Sequence, residues 1–208
     1  VDEALRQAAA DLAAIPVERA TPRPVIGIAG DIYTRASAVG NHDLWRRLEA
    51  MGCEVWPAPA LIEVSDFNNA HWMWSAARNF EIRDALRFGF YEQLKNHLTE
   101  RLYEAVAGAL PDRREPSYRQ VLEYTAPYTG AEANNLVMLN LAKVIDFARG
   151  GADGVINAIC FNCMVGTVSA AMLDRLRRDT GGVPMVTLTY GGSGGAASDA
   201  RLEAFVHQ

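Results

Sequence analysis

The apolar residues of this chain fall into two kinds of run. The first kind is short and nearly continuous: PVIGIAGD at 24–31, CEVWPAPA at 53–60, GADGVINAI at 151–159 and VPMVTLTY at 183–190. Strands covered on both faces lose the polar alternation of a half-exposed sheet, so these runs predict four buried, parallel strands. The second kind repeats at helical spacing. Leu44, Leu48 and Met51 recur at i, i+4 and i+7, behind an Asn41 able to cap and before a Gly52 able to stop the helix. Leu136, Leu141, Val144 and Phe147 predict a helix over 133–149, and further helices are predicted over 1–15, 167–180 and 199–208.

Alternation of strand and helix sets the expected topology. The unit 25–58 is β-α-β, which implies parallel pairing with a right-handed crossover. Four such strands in the order 2-1-3-4 make a doubly wound α/β sheet whose switch point lies between the first and third strands. The loops 30–33 and 160–166 then face one another across a crevice, with the glycine-rich loop 191–195 beside them. Two segments stand outside this pattern. Pro16, Pro22 and Pro24 break the first helix, so 1–23 reads as an N-terminal helix and linker ahead of a domain over 24–208. Residues 61–130 contain no convincing strand, while Phe90, Leu94, Leu98, Leu102 and Val106 recur at about helical spacing, which predicts a helical insertion.

Composition narrows the function classes. Half of the 208 residues are hydrophobic and 22% are charged, enough for a packed core. A net charge of −5 without a basic run argues against a nucleic-acid partner. No apolar run approaches the eighteen or so residues of a membrane span. The three cysteines are an odd number at irregular spacing, so a reducing, cytoplasmic setting is expected rather than a disulfide framework. Val1 is not an initiator residue, and the chain reads as part of a longer protein.

The candidate chemistry sits in the loops at the strands' carboxyl ends. ICFNCMVGT at 159–167 sets Cys160 and Cys163 in a C-x-x-C spacing between a strand and a helix. Thiolates near a helix start are metal ligands or nucleophiles, and they hold iron–sulfur clusters. The spacing alone leaves three readings open: metal ligands, a dithiol redox pair, or two small packing residues. Cys53, at the start of the second strand, is expected in the core. GDIYTR at 30–35 offers Asp31 and Tyr33 for proton transfer and Arg35 for a charged ligand, or simply a capped turn and a solvated arginine. Gly191 and Gly192 open a loop able to cradle an anion with backbone N–H groups, although it matches neither phosphate-loop pattern, and a flexible connection is the simpler reading. His42, His71, His97 and His207 show no ligand spacing. The cluster HWMW at 71–74 suits a pocket or a partner, with packing inside the insertion the commoner role. No Ser/His/Asp arrangement is visible.

Taken together, GADGVINAICFNCMVGT, VPMVTLTY and the closing RLEAF resemble the 2-hydroxyacyl-CoA dehydratase D-component superfamily. That group includes 2-hydroxyglutaryl-CoA dehydratase and benzoyl-CoA reductase subunits. The likeness is greatest to the D-component-like region of acyl-CoA dehydratase activase-related proteins, where a run like INVMPFTCMPGT stands in place of INAICFNCMVGT. GDIYTR matches that group's glycine–acid–aromatic loop, and Asn41 a later asparagine. The resemblance implies a flavodoxin-like fold and an iron–sulfur cluster used in low-potential electron transfer to an acyl-CoA-type substrate. It implies Cys163 as a cluster ligand; Cys160 stands where the relatives have proline and is a candidate second ligand by its spacing alone, and Val165 replaces another of their prolines. Asp31 and Tyr33 become catalytic candidates, and Arg35, Asn41, Gly191 and Gly192 substrate-binding ones. The other cluster ligands would lie outside this chain, and the ATP-hydrolysing activator would be a separate domain or partner. One or two cysteines do not hold a cluster stably, so the chain by itself is expected to be inactive, largely colourless and metal-free. Two rivals remain: a dithiol redox module using Cys160 and Cys163, and a non-catalytic scaffold.

Overall fold

A computed structural model describes residues 2–16, 22–59, 62–109, 111, 113–130, 133–191 and 196–207; the side chains of 2, 62–66 and 196–198 lie outside that description. In chain order the elements are α1 (Asp2–Ala13), β1 (Val25–Gly30), α2 (Ile32–Ala36), α3 (Leu44–Ala50), β2 (Glu54–Pro57), α4 (Ile62–Arg78) and α5 (Ile82–Val106). There follow α6 (Tyr118–Thr125), α7 (Asn135–Arg149), β3 (Gly154–Cys160), α8 (Met164–Asp179), β4 (Met185–Tyr190) and α9 (Ala196–Val206). They divide into a helical unit, Val1–Pro22 with Ser65–Glu115, and an α/β unit, Arg23–Val64 with Pro116–Gln208.

The α/β unit has the predicted flavodoxin-like architecture. Its four strands are all parallel in the order β2-β1-β3-β4. The register sets Gly30 beside Ala158 and Cys160 beside Tyr190, so β1, β3 and β4 end close together. Side chains alternate between two cores. Ala29 and Val155 join Leu141, Val144 and Phe147 of α7 and Leu173 and Leu176 of α8 on one face. Ile26, Ile28, Ile156 and Leu188 join Leu44 and Leu48 of α3 and Leu202 and Phe205 of α9 on the other. Burial of both faces is why the strand runs lack polar alternation. Cys53 is buried in the second core, as expected for a small apolar residue.

Three sequence-based expectations shift. The last long helix before β4 begins at Met164, three residues ahead of the predicted Thr167, because Cys163 itself occupies its N-cap. The helical unit spans 65–115 rather than 61–130, and it includes α1, which packs along α5. Helix α6 instead packs on α7, within the α/β unit. Finally, Trp72 and Trp74 of the HWMW cluster are 57% and 52% exposed, so they do not form the interior of the helical unit. Residues two apart on a helix point to different sides, and both rings cannot face one neighbour. No described helix is long and apolar enough to cross a membrane.

Candidate metal centre

The site forms where β1 and β3 end side by side. Gly30 turns the chain out of β1 with φ +114°, and a Cβ there would stand 2.0 Å from the Ala158 carbonyl oxygen, so only glycine fits. Asp31 N–H then donates to that same carbonyl at 2.8 Å, tying the loop after β1 to β3. The Asp31 side chain caps α2: Oδ1 accepts from Thr34 N–H and from Thr34 Oγ1, both at 2.8 Å.

Across from it, β3 ends at Cys160, and a tight turn delivers Cys163 to the start of α8. Cys163 N–H donates to Cys160 O at 3.1 Å, and Phe161 N–H to Tyr190 O at 2.8 Å. Asn162 takes the left-handed conformation the turn needs, φ 60°, which asparagine tolerates. Cys163 Sγ accepts the Gly166 N–H at 3.4 Å, so sulfur occupies the place usually held by a hydroxyl or carboxylate. Gly166 is required for another reason. A Cβ there would lie 2.2 Å from Ile159 Cγ2, so its absence lets α8 press directly on β3.

One donor atom each from Asp31, Cys160 and Cys163 lies within 4.8 Å of the others. Cys160 is exposed, Cys163 half-buried, and neither is in a disulfide. The Cys160 thiol is pushed above its ordinary value, first by the partial burial of its sulfur, then by the Asp31 carboxylate and by Cys163. Beside the group opens a small, partly open cleft, whose polar edge includes Asp31, Arg35 and Cys163 and whose apolar wall is Leu136, Leu139 and Val165.

The other sequence-predicted residues are placed differently. Arg35 is buried rather than solvated, and its Nη atoms donate to the carbonyl oxygens of Gly30 and Pro59, at 3.3 and 2.5 Å. Asn41 is buried as well. Its Nδ2 donates to Thr34 O and Arg35 O, and its Oδ1 accepts the Leu44 N–H, so it ties α2 to the start of α3. Tyr33 is 67% exposed and does not line the cleft. Gly191 is exposed beside Phe161, and Gly192 lies outside the described residues. His97 is on the surface.

Two residues passed over in the sequence prove central to the geometry. Asn140 of α7 accepts the Gly30 N–H at 2.7 Å and donates to Asn157 Oδ1 at 3.1 Å. Asn157 of β3 donates in turn to Gly166 O at 3.4 Å and Thr187 Oγ1 at 3.3 Å. The two amides thereby bind the glycine before Asp31 to the glycine after Cys163. Their signal was available: each is a lone amide inside an otherwise apolar run, and a buried amide requires partners.

Compared with protein-family models, with curated proteins and with solved structures, the chain gives no match.

Proposed function

We propose that this chain is the thiolate-bearing domain of an iron–sulfur protein, in which Cys163, with Cys160 beside it, ligates part of a cluster. The observation that carries the reading is the convergence of the two thiols with Asp31 at the carboxyl end of a doubly wound sheet, where such folds bind ligands. The chemistry of the donor set fits a share of a cluster and not a whole one. A four-iron cluster takes four thiolates, whereas the third cysteine, Cys53, is buried ahead of β2 at the opposite end of the sheet. The remaining ligands are therefore assigned to other parts of the native protein. When bound, such a cluster supplies one-electron transfer at low potential.

The chain's own residues have the complementary tasks. Leu136, Leu139 and Val165 keep water from one wall of the cleft. The Asp31 carboxylate is positioned to hold or release a proton toward a bound molecule, and the exposed Tyr33 phenol is accessible to one that extends beyond the cleft. Arg35 and Asn41 shape the site through the backbone they hold. In this reading the substrate is of the acyl-CoA type, ATP is hydrolysed by a separate domain or partner, and the free thiols belong in a reducing cytoplasm.

The test is EPR spectroscopy of the native protein, purified anaerobically and reduced. A cluster signal that Cys163→Ser removes or reshapes is expected, and no signal in the wild-type protein contradicts the reading. The dithiol alternative is favoured by the closeness of the two sulfurs. Against it, the exposed Cys160, the natural attacking thiol, has a raised pKa rather than the depressed one that activates such a cysteine. A reversible two-electron couple that vanishes in Cys160→Ser would establish it.

A further inference from the structure

The donor spacing carries a conclusion about this chain by itself. Two thiolates on one tetrahedral ion, at metal–sulfur distances of about 2.3 Å, stand about 3.8 Å apart. The three donor atoms here, all within 4.8 Å of one another, lie on the scale of a single ion.

The backbone that carries them is fixed from several directions. Asp31 is bonded to β3 through Ala158 O, Cys163 to Cys160 O, and the flanking Gly30 and Gly166 are joined through Asn140 and Asn157. The carboxylate is also oriented in advance. Oδ1 takes both bonds from Thr34, which leaves the other oxygen uncommitted among the described residues. An anchored ligand of this kind is typical of metal sites, where neighbouring hydrogen bonds fix the ligand's direction. Arg35, the cation of the cleft, directs its Nη atoms to carbonyl oxygens. Once metal binding has removed the thiol protons, two thiolates and a carboxylate bring three negative charges, of which a divalent cation offsets two.

We propose that Asp31, Cys160 and Cys163 form a three-donor site for one thiophilic divalent cation, with the fourth position facing the cleft that Asp31 and Cys163 line. Two sulfurs select for a zinc-, cobalt- or ferrous-type ion over magnesium or calcium. Three protein ligands with an open fourth position is the arrangement of a reactive rather than a closed structural site. The proposal rests on the reading of both cysteines as metal ligands, adds Asp31 to them, and replaces the expectation of a metal-free chain with a site for one ion.

The test is anaerobic titration of the reduced 208-residue chain with cobalt(II), followed by absorption. One equivalent should give the visible bands of tetrahedral cobalt and a near-ultraviolet sulfur-to-cobalt charge-transfer band. Addition of imidazole should shift the visible bands by entering the open position. Cys163→Ser and Cys160→Ser should each weaken or remove the charge-transfer band. Asp31→Asn keeps an oxygen to cap α2, and far-ultraviolet circular dichroism confirms that the fold is retained. It should keep the sulfur band but weaken binding by about tenfold to a hundredfold, at least the loss typical of removing a ligand's supporting hydrogen bond. Unchanged affinity and visible spectrum in Asp31→Asn overturn the assignment of Asp31 while leaving the thiolate reading intact. Absence of any charge-transfer band in the wild-type chain overturns the single-ion site. Cluster content of the native protein separately decides the iron–sulfur reading.

Discussion

Helices α7 and α5 show how differently the two units of this molecule use apolar residues. Of the fifteen residues of α7, ten are buried, including Asn140 and Lys143. None of the twenty-five residues of α5 is, although Ile82, Leu86, Phe90, Leu94, Leu98 and Leu102 recur at every fourth position and are 41–70% exposed. Both sequences carry helical periodicity. What separates them is the partner. Helix α7 lies against a sheet whose strands offer a complementary apolar surface, whereas among the described residues of the helical unit the buried apolar ones are few: Ala9, Phe67, Ala70 and Ala76. Periodicity reports that a face is apolar, not that anything covers it. The candidate site is built on the unit with the deep core.

The largest expected contrast comes from glycines that share a backbone strain but not a surrounding. Gly30 of the α/β unit and Gly108 of the helical unit both have positive φ, +114° and +84°. A Cβ at Gly30 meets Ala158 O at 2.0 Å, while one at Gly108 meets nothing within 4 Å among the described residues. Gly108→Ala should cost about 1 kcal/mol of local stability, from backbone strain alone. Gly30→Ala should cost about 3 kcal/mol or more, since the chain must also separate β1 from β3. Native-state hydrogen exchange reads each unit by its own amides, and equal losses would show that packing at the end of β1 is looser than the structure has it.

A smaller contrast comes from two asparagines. Asn157→Leu leaves Asn140, Gly166 O and Thr187 without the amide that joins them, and should cost about 1–3 kcal/mol. Asn69 in the helical unit is half-buried and bonds Glu92 at 2.9 Å. Asn69→Leu should cost about 1 kcal/mol or less, because water can replace what is lost. The same exchange experiment ranks the two, and a larger loss at Asn69 reverses the comparison.

The fold was more legible in the sequence than the site, and the reason is physical. Four apolar runs separated by helix-length segments predicted a parallel α/β sheet, and taking the common order 2-1-3-4 for it brought loops 30–33 and 160–166 together, as observed. The roles of individual polar residues do not follow from pattern. Arg35 and Asn41 look like ligand-binding groups in a loop, yet both direct polar atoms to carbonyls that no sequence displays. Asn140 and Asn157 were hidden for the opposite reason, being absorbed into runs read for their apolar neighbours. Cys163 was placed near a helix start, but its place as the cap depended on a turn through Asn162 that shifts the helix by three residues.

The smallest effect concerns Tyr190, at the end of β4. Its hydroxyl is buried without a hydrogen-bond partner among the described residues, and burial pushes its pKa up to about 12. Tyr190→Phe should therefore leave stability near neutral pH unchanged or raise it by about 1 kcal/mol. The folded pKa lies above the ordinary value of about 10, so this group's contribution is complete below pH 10 and is lost as pH rises toward about 12. Urea unfolding across that window should show a fall in the wild-type protein that is reduced in the phenylalanine variant. A marked loss on substitution at neutral pH would reveal a partner for the hydroxyl.

The central claim is that thiolates at the end of β3 hold metal and that the core cysteine does not. Iron and acid-labile sulfide per chain, measured in the anaerobically purified native protein, test it most directly. Cys163→Ser should lose most of both, Cys160→Ser should lose part, and Cys53→Ala should retain the wild-type content. Full iron and sulfide in Cys163→Ser, or their loss only in Cys53→Ala, would contradict the account.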